Sequence, residues 1–325
     1  LAAHQRGSAL FWYRDPGIYV ILTAGLIAPR PGAGTLVLNT SAAGSGVPDP
    51  AAPMVGRGSI MRKQNWMISV CALALAGGAG SAQAAVSYGT VGGSYGENFD
   101  TLTTSTSSTA WTNDSTLAGW SLFRQPAPGT ALTTYVGGTG SSNAGSFFSF
   151  GTDSDRALGG VGSGGSYFGS PAAGSIAGWF AVAITNDTGT TLTSFDVEFD
   201  GEQWRNGGNT SAQTMVLEYG FGASFGAVAS WTAPGGTFDF VSPTVGATAA
   251  ALDGNAPANR TAGLGGSVAA SWAPGDTLWI RWVERNDAGN DHGLSIDNFS
   301  FSAVPSPGAI ALFGVGGLMA GRRRR

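Results

Sequence analysis

Alternation of apolar and polar residues is plainest at 193–205, TSFDVEFDGEQWR, where Phe195, Val197 and Phe199 interleave with Asp196, Glu198 and Asp200. Successive side chains of a strand point to opposite faces, so this spacing predicts a strand with one buried and one wet face. The same period runs through 212–221 (AQTMVLEYGF), 237–243 (TFDFVSP), 276–285 (DTLWIRWVER) and 293–303 (GLSIDNFSFSA). Residues 177–186, AGWFAVAITN, are apolar almost throughout, which predicts a central strand covered on both sides. Gly, Asn and Pro clusters at 186–189 (NDTG), 205–209 (RNGGN) and 273–276 (APGD) supply the backbone conformations that tight connections need. With little Leu, Lys or Glu at helical spacing, the pattern predicts an all-β chain with a single β-sandwich or jelly-roll-like domain over 85–303. Within it, 101–175 carries tracts that read as long loops, TLTTSTSST and GGVGSGGS.

Both ends break the alternation. Residues 61–84 read MRKQNWMISVCALALAGGAGSAQA: a basic pair, Arg62 and Lys63, an apolar stretch from Trp66 to Ala76, then small residues ending in Ala82-Gln83-Ala84. That order predicts a secretory signal peptide cleaved after Ala84, with Ala82 and Ala84 as the small residues of the cleavage site. Export machinery reads the start of a nascent chain, so residues 1–60 are expected to be mis-assigned upstream sequence, without regular structure. They open on Leu and show Pro and Gly clusters with no sustained period.

At the other end, Val304-Pro305-Ser306-Pro307 should stop regular structure, because proline offers no backbone donor. Gly308 to Gly321 is uncharged and mostly apolar, and Arg322, Arg323, Arg324 and Arg325 close the chain. As a helix at ~1.5 Å per residue this segment spans about 21 Å, short of the ~30 Å hydrocarbon core, while the arginines would snorkel and hold the C-terminus on the cytoplasmic side. The Pro-bounded apolar segment, the arginine terminus and the signal at the front together resemble the PEP-CTERM sorting signal of bacterial surface proteins, which exosortase enzymes recognise and process. Ser306 stands where the family's namesake motif usually has Glu. The resemblance covers 304–325 and implies an exported protein of the cell envelope, surface or extracellular matrix. It also implies a short C-terminal hydrophobic sorting helix, transient anchoring in the inner membrane, and exosortase and the secretion machinery as partners. ENFDTL, GEQWRNGG and NDAGNDHGLSIDNFSFSA look like the jelly-roll ectodomain common in such proteins. This second resemblance implies fold and export; a structural or adhesive role among exopolysaccharides, with no enzyme activity, is the expectation that follows.

Charge and cysteine content sharpen this picture. Residues 85–303 hold 18 Asp or Glu against 6 Arg and no Lys, a formal net charge of −12. Such a surface repels phosphates, so nucleic acid is not an expected partner. The single cysteine, Cys71, lies in the signal segment, which leaves 85–303 without disulfides, thiolate nucleophile or cysteine metal site.

Candidate chemistry is sparse. One histidine, His292, excludes sites needing two imidazoles. Gly222-Ala223-Ser224-Phe225-Gly226 matches a nucleophile-elbow pattern, with Asp239, Asp253 or Asp276 and then His292 in hydrolase order, but the residues after Ser224 are poor helix formers and so many glycines produce such matches by chance. Asp196, Glu198, Asp200 and Glu202 alternate along one strand, which places them on one side rather than across a bound sugar and favours a solvated face. Calcium is the candidate cofactor. Asp287 and Asp291 sit in the Asn- and Gly-containing loop 286–293, while Glu97 and Asp100 near the front could lie beside Asp297, offering the oxygen ligands a hard cation takes. In many jelly rolls an acidic residue near the first strand and one on the last share a structural calcium, and the resemblance suggests Glu97 and Asp297; a polar turn and a satisfied strand Asp explain the same residues. Tryptophans could stack on sugars, with Trp204, Arg205 and Trp279 as the candidate glycan-binding residues of a calcium-stabilised carbohydrate-binding module. Trp279 and Trp282 have opposite parity on their strand, so at most one faces the core.

Overall fold

The computed structural model describes residues 85–305 in full and, ahead of them, the backbone of three strands, β1 (Ser8–Asp15), β2 (Ile18–Gly25) and β3 (Leu38–Ser41). Two separate units result, Leu1–Leu73 and Ala74–Arg325. In the first, β2 pairs antiparallel with both β1 and β3. This corrects the expectation that 1–60 has no regular structure. The cleavage-site residues Ala82 and Ala84, and the tail residues Ser306, Pro307 and Arg322 to Arg325, lie outside the described residues.

The second unit is all-β. Its strands are β4 (Val86–Tyr88), β5 (Ser94–Glu97), β6 (Thr109–Ala110), β7 (Trp120–Arg124), β8 (Thr130–Ala131), β9 (Thr134–Gly138), β10 (Ser146–Phe150), β11 (Ala157–Val161), β12 (Ser175–Asn186), β13 (Leu192–Asn206), β14 (Thr214–Phe221), β15 (Phe240–Val241), β16 (Ala250–Ala251), β17 (Arg260–Trp272), β18 (Thr277–Asn286) and β19 (Gly293–Val304). They form two sheets. The larger runs β16-β13-β19-β11-β10-β9-β6, with β17 also on β13 and β5 also on β19; the smaller runs β15-β14-β18-β12-β7-β8, with β4 also on β12.

The inner faces of the two sheets meet in one core. Phe195, Val197 and Phe199 of β13 and Phe299 and Phe301 of β19 oppose Phe180, Val182 and Ile184 of β12 and Ile280 and Trp282 of β18. Trp282 sits at the junction, stacked between Trp120 and Phe180 (centroids 5.8 and 5.4 Å) and met edge-on by Phe199 and Phe299 (5.5 and 5.6 Å). These are the offset and edge-to-face arrangements that aromatic quadrupoles favour, and they tie both layers to one side chain. The architecture is a β-sandwich, with the turns at 186–189, 205–209 and 273–276 joining β12 to β13, β13 to β14 and β17 to β18.

Differences from the expected pattern are local. TFDFVSP begins with one turn of 3-10 helix, Gly236–Phe238, and keeps only the two residues of β15 as strand. The tract 101–175 holds six strands rather than long loops alone, and β17 forms where no strand was predicted. The last strand runs through Val304, one residue past the expected boundary, and Pro305 is buried against the fold.

Candidate functional site

The aromatic residues chosen for sugar binding are closed off. Trp204 is 1 % exposed on the outer face of the larger sheet, packed with Phe148, Phe150 and Val161. Its ring stacks parallel to Phe150 at 6.3 Å, and the segment after β16 crosses it so closely that a Cβ on Gly254 would lie 2.3 Å from the indole nitrogen. Trp279 is 0 % exposed in a second cluster, on the outer face of the smaller sheet, with Phe123, Trp179 and Phe225. Arg205 is buried too, its Nη1 donating to the carbonyls of Gly140 and Ser141 at 3.0 and 3.1 Å. None of the three offers a face to a sugar ring. That corrects the glycan-binding assignment; parity was read correctly, but the outer faces are themselves roofed by loops.

The serine-histidine arrangement is not assembled either. His292 Nδ1 accepts the N–H of Gly207 at 2.9 Å, and Nε2 faces the carbonyl of Ser211 at 3.3 Å. Both ring nitrogens are therefore occupied by the 207–211 backbone, and burial lowers the imidazole pKa.

Carboxylates are what the fold concentrates. β13 carries Asp196, Glu198, Asp200 and Glu202 on its outer side, and the row changes character along its length: the first two are exposed, whereas Asp200 and Glu202 are 8 % and 1 % exposed. Asp200 is the register partner of Asp297 on β19, itself 3 % exposed. The β13–β19 register shifts between Glu198 and Asp200, the extra residue lying on β19, where a left-handed Asn298 (φ 50°) re-aims the chain. Asp100 and Asp155 lie at the exposed rim and act electrostatically on Asp297. The result is an acidic cup of Asp100, Asp155, Asp200, Glu202 and Asp297. A shallow hollow lined by Gly96, Glu97, Asn98, Asn298 and Phe299 adjoins it.

Partners divide the cup into satisfied and unsatisfied groups. Asp200 pairs with Arg260 and accepts from Gly263 N–H (2.9 Å) and Asn298 Nδ2 (3.0 Å). Burial alone would raise its pKa, but these donors outweigh that and hold it below the usual carboxylate range. Asp100 accepts the backbone N–H of Arg156 at 3.0 Å, and Asp155 accepts Asn255 Nδ2 at 2.7 Å. Asp297 is held only by its neighbour Asn298, through N–H at 2.6 Å and Nδ2 at 3.1 Å. Burial, reinforced by the surrounding carboxylates, pushes it up to about 7. Glu202 accepts Trp204 Nε1–H on Oε2 at 3.0 Å, while Oε1 has no partner; burial takes this carboxyl to about 7 as well.

The five residues chosen for calcium are thus split. Asp100 and Asp297 share the cup. Glu97 turns back to accept Phe99 N–H at 2.8 Å. Asp287 and Asp291 are elsewhere: Asp291 precedes Asp297 by six residues of extended chain, roughly 20 Å at ~3.3 Å per residue. There Asp291 Oδ1 accepts Asp287 N–H at 2.6 Å, and both lie near Glu284, a fully enclosed carboxyl on β18 whose Oε2 has no partner. The loop pair Asp287 and Asp291 and the group around Asp297 are thus two separate acidic groups, and within the second Asp100 and Asp297 come together. Glu202 was named in the alternating row but read as part of a solvated face, whereas it is buried; Glu284 was not singled out, although an acidic residue in a strand rich in large apolar side chains was the available signal. Among the described residues no three His, Cys, Asp or Glu side chains already converge on one metal position.

Comparisons of the chain with protein-family models, with curated proteins and with solved structures found no match.

Proposed function

We propose that this chain is an exported bacterial surface or matrix protein, sorted by exosortase, whose jelly-roll-like sandwich serves as a structural or adhesive module among exopolysaccharides. One observation carries the reading. The strands of the sandwich run from Val86 to Val304, and the two segments that the sequence marks for handling, ending at Ala84 and opening at Val304-Pro305, abut them. A signal peptide must be severed from a fold without cutting a strand, and a sorting tail must be reachable after the last one. The placement of both segments at the ends of the strands supports this reading. The tight aromatic core and the loops roofing Trp204 and Trp279 suit a load-bearing module more than an open cleft.

Intact-mass measurement of the protein recovered from its native cells, with fractionation, tests this. The expected product starts at Ala85, sits in the envelope or matrix, and has a processed tail; replacing Arg322 to Arg325 with neutral residues alters its fate. A cytosolic product retaining both ends overturns the proposal.

A further inference from the structure

We propose that the acidic cup on the outer face of the larger sheet binds a hard divalent cation, calcium by preference, with Glu202 and Asp297 as its buried carboxylate ligands and Asp155 at the mouth. Glu202 makes the case. It is 1 % exposed, one oxygen is held by Trp204, and the other has no donor, with the charges of Asp297 and Asp155 next to it. A buried polar atom without a partner is costly, and a carboxylate more so. Arg260, opposite Glu202 across β13 and β17, spends Nη2 on Asp200 and leaves its Nε without an acceptor, so it hydrogen-bonds no oxygen of Glu202, and the Arg156 guanidinium is turned to Ser149 and Thr103. Five carboxylates against these two arginines leave a formal excess of negative charge in the cup.

The donor set selects the ion. Histidine and cysteine are absent from the cup, which disfavours zinc and the softer metals. Calcium takes six to eight oxygens in irregular geometry, including amide and backbone carbonyls, whereas magnesium demands a near-ideal octahedron. Asn255 and Asn298 bring amide oxygens to the same place, each already hydrogen-bonded through Nδ2 to a cup carboxylate. Because no three carboxylates meet at one point beforehand, the exposed Asp155 moves in on the ion, and amide, carbonyl and water oxygens complete the shell.

Terbium, a luminescent calcium substitute, tests the site on the full-length chain, since Trp204 touches Glu202 and can sensitise a bound lanthanide. Expected is saturable tryptophan-excited emission that calcium displaces with a Kd of about 10⁻⁴ to 10⁻³ M, the range of open extracellular modules, and a melting temperature that calcium raises. Glu202→Gln keeps an acceptor for Trp204 and should lose the emission and the calcium shift. Asp155→Asn, at the exposed rim where folding is not at stake, should weaken calcium at least tenfold; Glu198→Gln, exposed on the same strand, should change neither. Absent saturable emission, emission unaffected by Glu202→Gln and Asp155→Asn, or loss only on changing Asp287 and Asp291 would each overturn the proposal.

Discussion

Glu284 shows what a single residue costs when topology, not chemistry, decides its surroundings. It points from β18 into the space between the sheets, where a Cβ on Gly160 would lie 2.8 Å from its Oε2. Burial raises its pKa well above the ordinary value, and the nearby Asp291 and Asp287 add to that. A carboxyl whose pKa rises on folding favours the folded state most when protonated. Its contribution is complete below the unfolded pKa and is lost as pH climbs through the folded one. Glu202, Asp291 and Asp297, each pushed up to about 7, act in the same sense. For Glu202 a rise from 4.5 to about 7 corresponds to about 3 kcal/mol. Asp200 opposes them only at the acid end, because its depressed pKa makes its contribution vanish as pH falls below the usual Asp range. In chelator, the protein should therefore melt higher at about pH 5 than at about pH 8. Glu284→Gln should narrow that gap by stabilising the pH 8 state, and a gap unchanged by the substitution would show that Glu284 is not the enclosed acid described.

At the scale of elements, legibility followed alternation. β12, β13, β14, β18 and β19 were readable because one or both of their faces are sealed by large side chains, which leaves a period of two or an apolar run in the sequence. β11, ALGGV, is as buried as any of them and was invisible. Its glycines are there because neighbouring backbone comes too close for a Cβ: one on Gly159 would lie 2.0 Å from the carbonyl of Leu294. Gly lowers strand propensity while making this approach possible, so propensity and packing point opposite ways. β17 escaped for another reason. It is paired only with β13, leaves most of its side chains exposed, and carries Gly263, Gly265 and Gly266 at positive φ. Gly159→Ala should cost more than about 3 kcal/mol, since backbone rather than a side-chain tip must yield. Gly189→Ala, in the open NDTG turn at φ +73° with nothing within 4 Å, should cost about 1 kcal/mol, the left-handed backbone penalty alone. Urea denaturation of the two variants checks the ratio. Within the acidic cup, Asp100 and Asp297 were named as candidate oxygen ligands and Glu202 as one of an alternating row, but the burial of Glu202 was not legible, because it depends on the distant segment that roofs Trp204.

The whole sandwich carries its charge lopsidedly, with 18 acidic residues against 6 arginines over 85–303. Two of those arginines, Arg260 and Arg281, are bound to Asp200 and Glu218, and Arg281 is further enclosed by Trp179, Phe225 and Trp231. The remaining acids repel one another across the surface, which destabilises the compact state at low ionic strength. Sodium chloride should therefore raise the melting temperature most steeply up to about 0.15 M, where the Debye length falls to about 8 Å, and little beyond. Calcium can act through the same screening or through the acidic cup, and the two separate cleanly. Screening depends on ionic strength and is indifferent to one buried residue, so it survives Glu202→Gln and disappears against a background of 0.15 M salt. A bound ion gives stabilisation that persists in that salt, follows mass action with its own Kd, and is removed by Glu202→Gln. Melting curves of both forms in calcium, with and without that salt, assign the stabilisation to the envelope of charge or to the site within it.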